Sequence, residues 1–165
     1  MKKFFAVISI LALSVVSVSV FADDSGKEKT ISENCGAIKE TLVNLQHADS
    51  RARVYLGRYY ETVLNTYIVP LNLRLVENNI HNNELMENQT AFSSKRQEFV
   101  DNYISYQKKL EDLVATNCEN DSQRFYEKLL DTRMERKIVA RDVVQLRSLV
   151  AKQIELVKKL KEGVE

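Results

Sequence analysis

The sequence predicts an all-α protein, a long antiparallel three-helix bundle with coiled-coil-like packing. Three observations favour this fold. The 165 residues include only four glycines and one proline, too few turn residues for a β-sandwich. Apolar residues recur at steps of three and four, which is the spacing of one helix face. This pattern persists over segments of about 35 to 40 residues, and near-heptad stripes of that length are typical of long helices packed side by side.

The beginning of the chain predicts an export signal. Two lysines precede an apolar run that ends at Val20, and Ala22 is followed by two aspartates. We therefore expect a signal peptide over residues 1–22, cleavage after Ala22, and a secreted or periplasmic protein. The alternative is an uncleaved membrane anchor, because the run approaches the roughly 18 apolar residues of a spanning helix.

The remainder of the chain has the size of one domain. Removing 22 of the 165 residues leaves 143, predicted to form a single helical-bundle domain over residues 23–165 with a flexible N-terminal segment over 23–30. Loss of the two signal lysines leaves 22 of the 24 basic residues against 23 acidic ones. This balance gives no indication of nucleic-acid binding.

The first predicted helix begins near a capping box. Thr30 and Glu33 have the spacing at which each side chain accepts a free backbone amide of the other residue. An apolar stripe then runs from Cys35 to Val63 and is broken at Asp49. Pro70 lacks a backbone donor and crowds the preceding turn, so we expect the helix to end or kink near that residue.

Two further helices follow an asparagine-rich loop over residues 77–84. The second helix carries an apolar stripe from Phe92 to Leu113, interrupted at Arg96. The third carries a stripe from Phe125 to Leu160, interrupted at Thr132 and Arg136. Short connections between consecutive helices make them antiparallel neighbours.

The two cysteines predict one disulfide. Cys35 and Cys118 are the only cysteines, and an even count in an exported chain favours a bond between them. Antiparallel packing would bring the start of the first helix to the end of the second. Two separate buried thiols are the alternative.

The polar residues that interrupt the stripes predict a buried polar layer. Counted from the disulfide, Asp49 is level with about Ile104, near Tyr103 and Tyr106, and Arg136 lies the same distance along the third helix. We therefore expect an ion pair between Asp49 and Arg136, with a tyrosine hydroxyl nearby, because an unpaired buried charge is costly. Its expected role is to fix the register of the helices.

Two other arginines are candidates for the same region. Arg133, one turn before Arg136, is the alternative partner of Asp49, and Arg96 is assigned to a neighbouring layer with Asp142. The opposing interpretation is that slight rotations of the helices direct each charge to water.

Tyrosine and arginine on the first helix predict an interface. Both residue types are enriched at binding hot spots. Tyr55 and Tyr60 lie off the apolar stripe, and Arg51 and Arg58 are close to them, so these four are the candidate interface residues. Tyr59 holds a stripe position and is expected in the core.

No residue pattern predicts catalysis, a metal site or a cofactor. The chain has two histidines, and neither His47 nor His81 follows a glutamate at the spacing of a di-iron bundle. His47 has Ser50 three residues on, but a catalytic triad needs a third partner and an oxyanion site. We therefore expect no enzyme activity, no cofactor and no metal.

The last third of the chain is locally basic. From Arg133 to Glu162 there are nine lysines and arginines against four acidic residues. Val150, Ile154, Val157 and Leu160 form an apolar stripe within this segment. Contact of this helix with an anionic membrane surface is an alternative to packing against its own bundle, which we favour.

Together these patterns predict an exported, non-enzymatic protein that binds a macromolecular partner, expected to be a protein, or has a structural role in the cell envelope or exterior. One alternative is a periplasmic holdase chaperone that cradles unfolded clients between helical arms. Another is a small-ligand carrier or enzyme with a pocket inside the bundle, which residue spacing alone does not reveal.

Overall fold

The computed structural model describes residues 24–162, and in this range the chain forms helices and no β-strand. The all-α prediction is therefore confirmed. The number of helices is not, because the described range contains five α-helices and one π-helical segment instead of three helices. The elements are α1 (Asp24–Glu33), α2 (Cys35–Thr62), the π segment (Val63–Ile68), α3 (Val69–Glu77), α4 (Asn83–Ala115) and α5 (Ser122–Glu162). The predicted signal peptide lies outside the described residues.

The first three α-helices and the π segment form one arm, which we call the first arm. Helical hydrogen bonding continues across the junction at Asn34, whose amide donates to Thr30 and whose carbonyl accepts from Ile38, at 3.2 and 3.0 Å. The predicted helix start at Thr30 is wrong. The helix begins at Asp24, and the Thr30 hydroxyl donates to the Gly26 carbonyl at 2.8 Å. Residues 24–30, expected to be flexible, lie in α1.

The chain passes Pro70 without leaving the helix. The regular α-helix ends at Thr62, and the widened π segment precedes the proline, which lies in the first turn of α3. The Val69 amide donates to the Leu64 carbonyl, five residues earlier. Pro70 has no amide to donate, so placing it in the first turn of a new α-helix avoids an interior hydrogen bond that it could not make.

The asparagine-rich loop is present between α3 and α4. Asn79 has a φ of 58°, and the Ile80 amide donates to the Leu75 carbonyl at 2.8 Å, which closes α3 with a left-handed cap. The side chain of Asn82 then accepts from the Leu85 amide at 3.0 Å and caps the start of α4. The turn chemistry of asparagine accounts for both ends of this loop.

Helices α4 and α5 form a closely packed antiparallel pair. Side-chain contacts descend along α4 as they ascend along α5: Asp112–Lys128 at 2.8 Å, Lys109–Glu135 at 2.9 Å, Asn102–Asp142 at 2.8 Å and Asn88–Gln153 at 2.8 Å. The first arm lies against this pair. Contacts from Asp49 to both Tyr106 and Arg136 show that α2 packs on both of the other long helices.

The core has two parts. The cluster at the α1 end surrounds the disulfide, in which Cys35 and Cys118 have Cα atoms 5.5 Å apart and are separated by 83 residues in sequence. The second cluster lies nearer the asparagine-rich loop and is built around buried aromatic and aliphatic side chains: Tyr60, Leu64, Ile68, Phe92, Phe99 and Leu146. The polar contacts of Asp49 lie between these two clusters.

Candidate functional site

The inner face of α2, which packs on α4 and α5, carries an ionic contact. Arg136 donates through Nε to Asp49 Oδ2 at 2.8 Å and through Nη2 to Oδ1 at 3.1 Å, so the pair is bidentate. The Tyr106 hydroxyl donates to Asp49 Oδ2 at 2.7 Å. The predicted pair is therefore present in the structure, with Tyr106 supplying the hydroxyl. Tyr103 donates to Ser50 at 3.3 Å instead.

The ion pair between Asp49 and Arg136 is only partly buried. The side chain of Arg136 is 42% exposed and that of Asp49 is 20% exposed. Hydrogen bonding to Asp49 raises the pKa of Arg136. Burial raises the pKa of Tyr106, and the hydrogen bond to Asp49 raises it further. A carboxylate that accepts three hydrogen bonds and a tyrosine held in its neutral form suit a structural contact better than proton transfer.

The other two arginines of the predicted layer lie elsewhere. Arg133 is exposed and takes no part in the contact with Asp49. Arg96 approaches Glu61 at 3.9 Å rather than Asp142, so its predicted assignment is wrong. The buried carboxylate of Asp142 instead accepts from Asn102 and lies 3.6 Å from Lys95. Consecutive residues of an α-helix are rotated by about 100° about its axis. Lys95, one residue before Arg96, is therefore the side chain directed toward α5.

Tyr60 is the candidate interface residue that the structure contradicts. It is fully buried, packs edge to face on Phe92 and Phe99, and donates to the Val143 carbonyl at 3.4 Å. Tyr59, expected in the core, is 43% exposed. An α-helix drifts by about 20° per heptad relative to a 3.5-residue repeat. A stripe counted forward from Cys35 therefore assigns Tyr59 to the core, whereas the helix directs the next residue, Tyr60, into it.

The remaining candidate interface residues lie together on the outer face of α2, which points away from α4 and α5. Arg51, Tyr55 and Arg58 are all exposed, and Tyr55 is 71% exposed. They line a shallow open depression whose walls are completed by residues that the sequence analysis had not selected: Ser50, Val54, Tyr59 and Thr62. One helix face therefore presents two guanidinium groups and two phenol rings.

The residues that line this depression carry charge of one sign, from Arg51 and Arg58. Residues 50–76 contain four arginines and a single acidic residue, Glu61. Glu61 lies 3.9 Å from Arg96, and Asp49, just before this stretch, is bound to Arg136. Within the described residues, Arg51 and Arg58 have no ion-pair partner. The scarcity of acidic residues was visible in the sequence and would have identified this segment.

A buried amide cluster near the asparagine-rich loop was not predicted. Asn72 donates to Gln89 at 2.7 Å, and Asn88 donates to Gln153 at 2.8 Å, so these side chains link α3, α4 and α5. One polar atom on each of Asn72, Asn88 and Gln153 is buried without a hydrogen-bond partner. Asn88 begins an Asn-Gln-Thr sequon, but it is only 1% exposed and is inaccessible to glycosylation in the folded chain.

The end of α5 does not use the predicted apolar stripe as its core. Gln153 and Leu156 are buried, whereas Ile154 is 54% exposed and Val157 is 36% exposed. The expectation that this stripe packs against the bundle is therefore wrong for these two residues. Contact of α5 with a membrane surface stays a prediction.

The described residues contain no group of three or more histidine, cysteine, aspartate or glutamate side chains that could hold a metal ion. His47 and His81 are both exposed. In the same part of the chain, no helix combines the length and the apolar character needed to span a membrane. Ser50, three residues after His47, accepts a hydrogen bond from Tyr103.

Comparison of the chain with protein-family models, with curated proteins and with solved structures gives no match.

Proposed function

We propose that this chain is an exported, non-enzymatic protein that binds a macromolecular partner through the outer face of α2. The observation that carries the proposal is the exposed depression formed by Arg51, Val54, Tyr55, Arg58 and Tyr59. Tyrosine and arginine are among the residues most enriched at binding hot spots. Within the described residues, the guanidinium groups of Arg51 and Arg58 have no ion-pair partner.

The packing of α2 on α4 and α5 supports such a role because it makes α2 a rigid element. The disulfide fixes one end of the arm, and the contact of Asp49 with Arg136 fixes the level just before the depression. Groups held on a rigid element lose little conformational entropy when a partner binds. A disulfide between distant segments also fits an extracytoplasmic location, where thiols are oxidised.

Capture from a native envelope extract tests this proposal. We expect the purified protein to retain at least one protein that the Tyr55→Ala/Arg58→Ala variant loses. The matched control is Val144→Ala/Arg133→Ala, which removes an exposed valine and an exposed arginine from α5. Equal retention of every captured protein by both variants would show that the outer face of α2 is not a binding site.

A holdase chaperone is the second candidate, supported by apolar side chains exposed toward the end of the molecule that carries the asparagine-rich loop. Leu73 is 58% exposed, Val76 is 48% exposed and Ile154 is 54% exposed. Exposed apolar groups of this kind can hold an unfolded client. Failure to suppress aggregation of a denatured client at stoichiometric ratios would remove this candidate.

A further inference from the structure

The outer face of α2 extends well beyond the depression. Toward the N-terminus it continues through Glu40 to Glu33 at the end of α1. The hydrogen bonds of Asn34 to Thr30 and Ile38 link the two helices, although Asn34 itself departs from α-helical angles with a φ of -109° and a ψ of 14°. All residues along this line are exposed, and they recur at steps of three and four: Glu33, Ala37, Glu40, Asn44, His47, Arg51, Val54 and Arg58. This is the spacing of a second helix-packing stripe on the side opposite the core.

The charges on this stripe are separated by sign. Glu33 and Glu40 lie seven residues apart at one end, and Arg51 and Arg58 lie seven residues apart at the other. Within the described residues, Glu40, Arg51 and Arg58 have no ion-pair partner, and Glu33 is 3.8 Å from Lys29 in a contact exposed on both sides. The face therefore carries equal and opposite charges at matching intervals.

We propose that the partner of this face is a second copy of the chain, packed antiparallel along α2. The proposal rests on the assignment of the outer face as the binding site. In the antiparallel register, Glu33 lies opposite the partner's Arg58 and Glu40 lies opposite the partner's Arg51. A twofold axis repeats both contacts, so the dimer contains four ion pairs.

The side chains between the charges are complementary in size. In the same register Val54 of one copy is level with Ala37 of the partner subunit, and both residues lie on the stripe. Small residues opposite large ones allow two helices to approach closely.

The charge pattern also favours this antiparallel register over other arrangements of the dimer. A parallel dimer would place each glutamate beside the same glutamate of the partner and each arginine beside the same arginine. An antiparallel dimer shifted by one heptad retains only half of the ion pairs. Like charges in contact oppose the parallel dimer, and the loss of two of the four ion pairs disfavours the shifted one, which is how charged positions set orientation and register in coiled coils.

The contact is expected to be reversible. The stripe spans about 40 Å of helix, but most of its layers are charged or polar, and exposed ion pairs contribute little individually. Polar residues at such positions fix register and orientation at a cost in affinity. Association should therefore weaken as salt is added.

Sedimentation velocity of charge-reversed variants tests the proposal. One variant carries Arg51→Glu and Arg58→Glu, and the other carries Glu33→Arg and Glu40→Arg. Each should raise the dimer dissociation constant roughly a hundredfold, since four exposed pairs become four repulsions. An equimolar mixture should form a heterodimer, because every contact is again between opposite charges. Arg124→Glu/Arg133→Glu, on the exposed surface of α5, is the control and should leave association unchanged.

Recovery of the dimer in the mixture supports the inference. A purified protein that remains monomeric up to millimolar concentration overturns it, and so does a dimer that neither reversal weakens. If the protein is monomeric while the Tyr55→Ala/Arg58→Ala variant still loses a captured protein, the proposed function stands and the second copy is not the partner. If the dimer responds as expected and no other protein is captured, self-association accounts for the outer face.

Discussion

The inner and outer faces of α2 have the same residue spacing, but they differ in whether their charges are paired within the chain. On the inner face, Cys35, Leu42, Asp49 and Leu56 recur every seven residues, and the one charge among them is bound by Arg136 within the chain. On the outer face, residues recur at the same interval, but the charges of Arg51 and Arg58 have no partner among the described residues.

This contrast separates the residues that specify the fold from those available for function. A charge on the inner face must be paired, because burial without a partner costs several kcal/mol. A charge on the outer face is solvated and costs the fold little. Unpaired charges and large aromatic rings on the outer face therefore indicate a binding surface. The polar groups on the inner face mainly fix the register of the helices.

The largest expected effect compares two tyrosines on these faces. Tyr60 is fully buried, so Tyr60→Ala should lower the free energy of unfolding by about 4 kcal/mol through loss of packing and creation of a cavity. Tyr55 is 71% exposed, so Tyr55→Ala should change it by less than about 0.5 kcal/mol. Urea unfolding of both variants measures the difference. Equal destabilisation would remove the distinction between the faces.

Tyr106 gives a smaller, pH-dependent effect on the inner face. Tyr106→Phe removes a hydrogen bond to a carboxylate and should cost about 1.5 kcal/mol near neutral pH. The folded pKa of Tyr106 is raised, so its contribution is complete below the unfolded value of 10.0 and declines as pH rises toward the folded value. Above pH 10 the difference between wild type and variant should shrink by up to about 1.4 kcal/mol per pH unit.

Unfolding measured from neutral pH to pH 11 checks this prediction. Lysines and the other tyrosines titrate equally in both proteins, so only the difference between the two curves is used. A difference that stays constant above pH 10 would contradict the raised pKa.

The smallest effect is the coupling between Asp49 and Arg136. In a double-mutant cycle with Asp49→Leu and Arg136→Leu, the double variant should be about 1 kcal/mol more stable than the sum of the two single losses predicts. The value is modest because the Arg136 side chain is 42% exposed. Lys29 and Glu33, an exposed pair, should be additive in the same experiment. Additivity at Asp49 and Arg136 as well would mean that the bidentate contact does not stabilise the fold.

Several inner-face contacts could be anticipated because helices rise by a constant amount per residue. Once Cys35 is placed beside Cys118, counting equal distances along neighbouring helices brings Asp49 to Arg136. The same counting could not choose between Tyr103 and Tyr106, which are one turn apart. The rise per residue determines how far along the bundle a residue lies, but it does not determine which side chain is directed at a given neighbour.

Rotation about the helix axis is where sequence reasoning failed. The exchange of Tyr59 and Tyr60 between surface and core follows from drift between 3.5 and 3.6 residues per turn. The π segment then keeps Leu64 and Ile68 on the face of Tyr60 at steps of four. The amides of Asn72 and Asn88 were missed because an asparagine gives no signal of burial until its neighbours are known.

The distance between two identical positions in the dimer tests the use of the outer face most directly. Thr66 is exposed and lies beyond the proposed contact, and both described cysteines are in the disulfide, so a single spin label can be attached at Thr66→Cys. Antiparallel packing along α2 predicts labels about 60 Å apart by double electron–electron resonance. A distance of about 10 to 20 Å, as expected for parallel helices in contact, would contradict the account.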